Sequence, residues 1–263
     1  MPSIPVSNGT LYCETLGQGP DLVLLHGMWS HHGVWSRMAP ELAESFRLVL
    51  VDQMGHGKSG RIRRPYRLRD YAMDLRDLLD SLQVPKALLA GFSMGSLVAQ
   101  EFASLCPDRV RGLVLIATPP PYRLRWKLGV LTVSLLESLR ITTLKRQTIK
   151  ALSRRYAKGT DKGLIDKSLK ELAAYQDREF ALILKSVWER GQEVRPERIG
   201  APTLLLVGEK DGIRGHTESL AERIPGCRLR VVPGANHSIL LDKPGAVAGE
   251  ILEFLRQARL SPP

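Results

Sequence analysis

Hydrophobic positions along the chain follow two alternating rhythms. Short, almost wholly apolar runs recur at Asp21–Leu25, Arg47–Val51, Ala87–Ala90, Val110–Ala117 and Thr203–Val207, and Arg228–Val232 continues the strand rhythm. Runs without polar alternation suit strands buried on both faces. Between them apolar residues return every three or four positions. This predicts helices over Val34–Glu44 (Trp35, Met38, Leu42 inward), Leu68–Leu82 (Tyr71, Leu75, Leu78, Leu79, Leu82 inward), Ser96–Ala103, Thr217–Ile224 and Pro244–Arg259. Asp242 is placed to cap the last of these, with Pro244 in its first turn. Ahead of all this, Ile4–Val6 and Leu11–Thr15 flank Asn8-Gly9, a tight-turn signal that predicts an opening β meander. Strand–helix alternation on this scale predicts an α/β fold with a mostly parallel, doubly wound sheet.

The rhythm breaks once. Pro119-Pro120-Pro121 ends the fourth apolar run, and from there to Pro196 the pattern is helical with no apolar strand. Residues 1–118 and 199–263 therefore read as one core domain, and 119–198 as an inserted helical lid. A chain of 263 residues accommodates that organisation.

Charge sharpens the picture of the insertion. The net charge is +11, and Arg123 to Lys158 holds ten basic residues against Glu137 alone, or +9. Two explanations stand: a solvated helical face, or a site for an anionic partner. Nucleic acid is not expected, because no reading motif accompanies the charge. Cys13, Cys106 and Cys227 are odd in number and lack metal-type spacing, which predicts reduced thiols in a cytoplasmic protein. Met1–Pro5 has neither a basic start nor an apolar core, and no run approaches the ~18–20 residues of a membrane span.

In open α/β sheets ligands gather at the carboxyl ends of the strands, and His26, Asp52, Ser93, Asp211 and His237 all fall there. Gly91-Phe92-Ser93-Met94-Gly95 joins a predicted strand directly to a predicted helix, so Ser93 must sit in a sharp, strained turn. Its glycines allow close approach without Cβ clashes. The hydroxyl then stands beside a helix N-terminus, whose free N–H groups favour developing negative charge. A serine nucleophile needs a base, and the base needs an acid to fix its tautomer. His237, in the loop after the last strand, and Asp211, in the loop after the preceding one, supply both. Glu209 competes as the acid but lies closer to the strand end, where a structural role is expected; Thr118 leaves a third acid position without a carboxylate. Oxyanion donors are expected from the backbone N–H groups of Met28 and Met94, with Met28, Trp29 and Met94 side chains lining the acyl pocket. His26 and His56 are expected to brace loops, Asp52 to be structural, and His31 and His32 to be solvent-exposed near the pocket mouth. The glycines of Gly55-His56-Gly57-Lys58-Ser59-Gly60 suggest a dinucleotide fingerprint, but no helix opens on the last of them.

These residues resemble the α/β-hydrolase superfamily. His26-Gly27, Asp52–Ser59, Gly91–Gly95, Gly208–Asp211 and Asn236-His237 match its motif positions in order across the whole chain apart from the lid. Ser96 departs from the pattern, standing where many members have a second glycine. The resemblance implies a serine hydrolase acting on a small ester or related acyl substrate, without cofactor or metal. Serine at position 93 argues against dehalogenase and epoxide hydrolase chemistry. Lactonases, carbon–carbon bond hydrolases, lyases and receptor-like binding members share the scaffold. Within the superfamily the chain is similar to small carboxylesterases and to the biotin-synthesis esterase of a pimeloyl group on acyl carrier protein. That comparison implies an acidic carrier docking on Arg123 to Lys158.

Overall fold

The computed structural model describes residues 3–120, 143–150, 162–188, 195–258 and 260. Among the described residues eight strands form one sheet: β1 (Ile4–Val6), β2 (Gly9–Leu16), β3 (Asp21–Leu25), β4 (Arg47–Asp52), β5 (Ala87–Phe92), β6 (Val110–Ile116), β7 (Thr203–Gly208) and β8 (Arg228–Val232). Their spatial order is β1-β2-β4-β3-β5-β6-β7-β8. β1 and β2 are antiparallel, as is β2 to β4, while every pairing from β4 to β8 is parallel. β3 and β5 are parallel neighbours at the point where the strand order reverses, so their carboxyl ends lie side by side, and both carry loops with chemistry on them.

Both faces of the sheet are covered. Leu22, Leu24, Leu48, Ala90 and Val114 pack with Trp35, Leu42, Ile251 and Phe254 on one side. Val23, Val49, Leu89 and Leu113 pack with Leu75, Leu79, Leu97 and Phe102 on the other. Adjacent residues of one strand thus enter different cores, which is why the strands read as continuously apolar.

Three helical predictions change in detail. The single helix expected over Val34–Glu44 is a 3-10 turn, His32–Trp35, followed by a short helix, Ala39–Ala43. Pro40 cannot donate to a continuing ladder and instead occupies the first turn of the second piece. The helix expected from Thr217 begins earlier and spans Arg214–Arg223. Asp242 does not cap Pro244–Gln257: it closes a separate turn of helix, Ile239–Asp242, and its Oδ2 accepts from the Asn236 N–H at 3.3 Å.

Of the expected insertion, residues 143–150, Lys162–Ala174 and Asp177–Trp188 are helical. Leu172, Tyr175, Phe180, Ile183, Leu184 and Val187 are buried against the core cluster that contains Leu97 and Tyr71. Arg123, Arg125, Lys127, Arg140, Arg154, Arg155 and Lys158 lie outside the described residues; Lys145, Arg146 and Lys150 lie on the helix 143–150. No helix among the described residues is long and apolar enough to cross a membrane.

Candidate active site

Ser93 stands between β5 and the helix Met94–Leu105, with φ 50 and ψ −114. A non-glycine residue held there costs on the order of 1–3 kcal/mol and persists only where its surroundings enforce it. The enforcement is visible. The Ser93 N–H donates to Ile116 O at 2.8 Å, and Ser93 O accepts from the Ser96 N–H at 3.0 Å and the Ser96 hydroxyl at 2.6 Å. Ser96 therefore braces the turn in which a glycine would offer no side-chain donor. A Cβ on Gly91 would stand 2.3 Å from Gly95 O, and one on Gly95 would stand 2.3 Å from Leu25 O. The helix can approach β3 and β5 this closely only because both positions lack side chains.

From Ser93 a row of polar atoms leads inward. His237 Nε2 lies 3.2 Å from Ser93 Oγ, and His237 Nδ1 lies 2.8 Å from Asp211 Oδ2. The carboxylate can only accept, so Nδ1 carries the proton and Nε2 presents a lone pair to the serine hydroxyl. Asp211 is buried, and its Oδ1 accepts from the Ile213 N–H at 3.2 Å, which fixes the carboxylate plane. His237 is held by its own loop: Asn236 Oδ1 accepts from the Ser238 N–H at 2.7 Å, and the Phe92 ring lies 5.7 Å from the imidazole. Glu209 does not join the row. Its Oε2 accepts from the Gly234 N–H at 2.8 Å and so ties the β7 loop to the β8 loop. Thr118, also buried, contributes no carboxylate.

Facing the serine is the loop after β3. A Cβ built on Gly27 would lie 3.3 Å from Ser93 Cβ and 3.1 Å from the Phe92 ring, so the Met28 peptide passes beside the nucleophile. The Met94 N–H occupies the first turn of its helix, where no intrahelical acceptor exists. Met28 is half-buried, whereas the Met94 side chain is shut into the core. Trp29 has φ 56, and its ring stacks on Phe180 of the helix Asp177–Trp188 at 4.5 Å and 8°.

Behind that loop lies a histidine-rich brace. His26 Nε2 accepts from the Gln53 N–H at 3.0 Å, while Gln53 Nε2 donates to His26 O at 2.6 Å. His56 Nδ1 lies 3.0 Å from Met54 O, and the His26 and His56 rings meet edge-on at 5.1 Å. Burial lowers His26 to about 4 and His56 to about 3, so both rings are neutral. His31 and His32 are not exposed as expected; they are buried behind the loop. Asp52 holds His32: its Oδ1 accepts from the His32 N–H at 2.6 Å and lies 2.8 Å from His32 Nδ1, and its Oδ2 accepts from the Lys58 N–H at 2.9 Å. Burial works against the Asp52 charge, yet His32 and these amide donors hold its carboxyl well below the usual carboxylate range. His31, His32 and Asp52 offer ligand atoms within 4.8 Å of one another, but these hydrogen bonds already engage both Asp52 oxygens.

Phe180, Tyr175 and Glu179 are the neighbours that sequence reasoning missed. Phe180, Ile183, Leu184 and Val187 do show helical spacing, so an apolar face was legible. Its target, the loop carrying Trp29, was not.

Comparison with known proteins agrees with this fold. Residues 22–250 match the "Alpha/beta hydrolase family". The chain is 32% identical to the pimeloyl-[acyl-carrier protein] methyl ester esterase of Nitrosospira multiformis, across 94% of this chain and 98% of that protein. It is 33% identical to the esterase of the same name from Chromobacterium violaceum, across 88% and 92%. Among solved structures, a thermophilic esterase from Thermogutta terrifontis is similar with TM-score 0.83 and 27% identity, covering 97% of each chain. A Pseudomonas aeruginosa hydrolase is similar with TM-score 0.80 and 27% identity, covering 94% of each.

Proposed function

The chain belongs to the alpha/beta hydrolase family and is a carboxylic ester hydrolase, and on that footing we propose that it cleaves the methyl ester of an acyl chain carried on acyl carrier protein, the pimeloyl chain being the favoured one. The observation that carries the mechanism is the hydrogen-bonded row from Ser93 Oγ through His237 to Asp211, at 3.2 and 2.8 Å.

Ser93 Oγ attacks the ester carbonyl carbon as His237 Nε2 takes its proton. The imidazolium that forms is stabilised by Asp211, which stays ionised. The carbonyl oxygen, now negative, receives hydrogen bonds from the Met28 and Met94 amides; one such donor is worth ~10²–10³ in kcat. Collapse breaks the bond to the alkoxy oxygen, which takes the proton from His237 and leaves as methanol. Water, deprotonated by His237, then attacks the acyl-enzyme, and collapse returns the proton to Ser93 and frees the acid. Every proton passes through one imidazole, and the chemistry needs no cofactor. Met28 and Trp29 line the acyl side, with Met94 contributing its amide.

Residues 119–198 act as a lid over this site, and Arg123 to Lys158 as the dock for the acidic carrier. The +9 charge of that stretch and the names of the relatives support this part of the reading. A carrier-bound substrate and three cysteines without a disulfide among the described residues also favour a cytoplasmic setting.

A fluorophosphonate probe followed by peptide mapping tests the mechanism: the adduct should fall on Ser93, and Ser93→Ala should abolish both labelling and turnover of p-nitrophenyl butyrate. Labelling elsewhere, or undiminished turnover, would overturn it. Reversing Arg154, Arg155 and Lys158 to glutamate tests the dock. Turnover of a carrier-linked methyl ester should fall far more than that of the free ester, and an equal response would refute docking there.

A further inference from the structure

A second concentration of positive charge lies on the core. Residues 61–69 read Arg-Ile-Arg-Arg-Pro-Tyr-Arg-Leu-Arg, five arginines without an acid. With +9 in 123–158 and +5 here, the rest of the chain is net −3, so the whole cationic surplus resides in two stretches. The arrangement in 61–69 is not that of a loose loop. Ile62, Tyr66 and Leu68 are buried, while Arg61, Arg63, Arg64, Arg67 and Arg69 are all exposed. The apolar residues pin the backbone and leave the guanidinium groups outside.

Residues 61–69 and the described helix 143–150, far apart in sequence, converge on Tyr175. Arg61 Nη1 lies 3.5 Å from Glu179 Oε2 on the helix Asp177–Trp188, and the Arg61 guanidinium sits 5.2 Å from the centre of the Tyr175 ring. The backbone carbonyl of that same Tyr175 accepts from Lys145 Nζ, on the helix 143–150. Tyr175 is therefore the meeting point, with Arg61 of the core on one side and Lys145 of the helix 143–150 on the other. Three carboxylates on the described residues face the run: Glu179, which bears on Arg61 and Arg63; Asp70, 3.8 Å from Arg64; and Asp74, which accepts from the Tyr66 hydroxyl beneath the strip. Five cations against three carboxylates leave this strip positive.

We infer that residues 61–69 form the core-side half of a cationic docking face, and that the acidic carrier protein sits astride the junction between core and lid. This rests on the carrier-ester reading above. Exposed charge pairs each add little to affinity, but a patch of one sign steers an oppositely charged partner and raises its association rate. Arginine suits the task because its planar fork can take a carboxylate or phosphate in two parallel hydrogen bonds. A carrier bound to both halves also bridges lid and core while its acyl chain is in the site.

The test compares wild type, Arg63→Glu/Arg69→Glu and Arg63→Lys/Arg69→Lys on a carrier-linked methyl ester and on free p-nitrophenyl butyrate, at low and high salt. Arg61 is left intact because it meets Glu179. The glutamate variant should lose about ten-fold in kcat/KM on the carrier substrate at low salt, with a flatter salt dependence. Its rate on the free ester should stay within about two-fold of wild type, a control for folding, and the lysine variant should keep most of the carrier-linked rate. If wild type turns over the carrier substrate and the glutamate variant matches it, this inference fails while the substrate reading stands. If wild type cannot use the carrier substrate, both fail. Equal loss on both substrates would mean that the arginines maintain the fold, and would overturn docking through them.

Discussion

The indole of Trp29 lies flat on the ring of Phe180, 4.5 Å between centroids and 8° from parallel. One ring belongs to the loop beside the nucleophile and the other to the helix Asp177–Trp188. Trp29 adopts φ 56, a backbone conformation that a bulky residue holds only under constraint, and the stack is one source of that constraint. Met28, whose amide is proposed to meet the oxyanion, is its immediate neighbour.

Phe180→Ala should therefore do more than open a cavity. Loss of a buried phenyl costs about 3–5 kcal/mol of stability. Beyond that, kcat on p-nitrophenyl butyrate should fall about ten-fold at a temperature where the variant is fully folded, the order expected from a loosened oxyanion donor. Phe180→Leu should restore stability more than kcat, because it refills volume without restoring the flat contact. Stopped-flow turnover alongside thermal melts separates the two effects.

Asp211 and Glu209 leave adjacent turns of the same loop, yet only Asp211 reaches His237. Asp211→Asn would offer Nδ1 a donor, favour the wrong imidazole tautomer and lower kcat by about 10⁴. Glu209→Gln should leave kcat within a few-fold of wild type, because its carboxylate only accepts from the Gly234 N–H. Steady-state kinetics of the two variants distinguishes the acids directly.

Gly95→Ala should prevent correct assembly of the turn, since the new methyl would stand 2.3 Å from Leu25 O and 2.7 Å from His26 O. Backbone carbonyls of a central strand cannot retreat without breaking ladder bonds. Gly212→Ala, where nothing lies within 4 Å, is the control and should leave the melting temperature almost unchanged. Soluble yield and melting temperature report the outcome.

His26 and His56 predict the direction of acid sensitivity. Their folded values, about 4 and about 3, lie below the ordinary 6.5, so the unfolded chain binds more protons between these limits. Stability from these rings is complete above pH 6.5 and falls as pH drops toward 4. At pH 5 the two together would cost on the order of 4 kcal/mol. The raised carboxyls of Asp74 and Glu179 act in the opposite sense and temper the slope. His56→Asn removes one titrating ring, so its melting temperature should fall less than that of wild type between pH 6.5 and 4.5. An unchanged slope would rule out His56 as a source of the effect.

The legible part of the site was the part carried by short, local patterns. Ser93 between two glycines, a strand feeding a helix, and chemistry at strand ends are all relations within a few residues. Chain order then brought Asp211 and His237 to the same edge once a parallel sheet was granted. His31 and His32 show where such reasoning stops: polar and loop-borne, they read as exposed, yet both are buried, and His32 is held by Asp52, twenty residues on. Pro40 shows a local signal passed over, for its missing N–H is enough to split the expected helix.

By itself the amino-acid order determined the layered α/β architecture, the strained serine turn and the location of its chemistry, because apolar periodicity and glycine placement act through neighbouring residues. Only the folded chain decided that Phe180 would lie on Trp29 and that Arg61 would meet Glu179 beside Tyr175. Those contacts join segments more than a hundred residues apart, and the forces that select them, shape fit and shared burial, exist only once the sheet has brought the segments together.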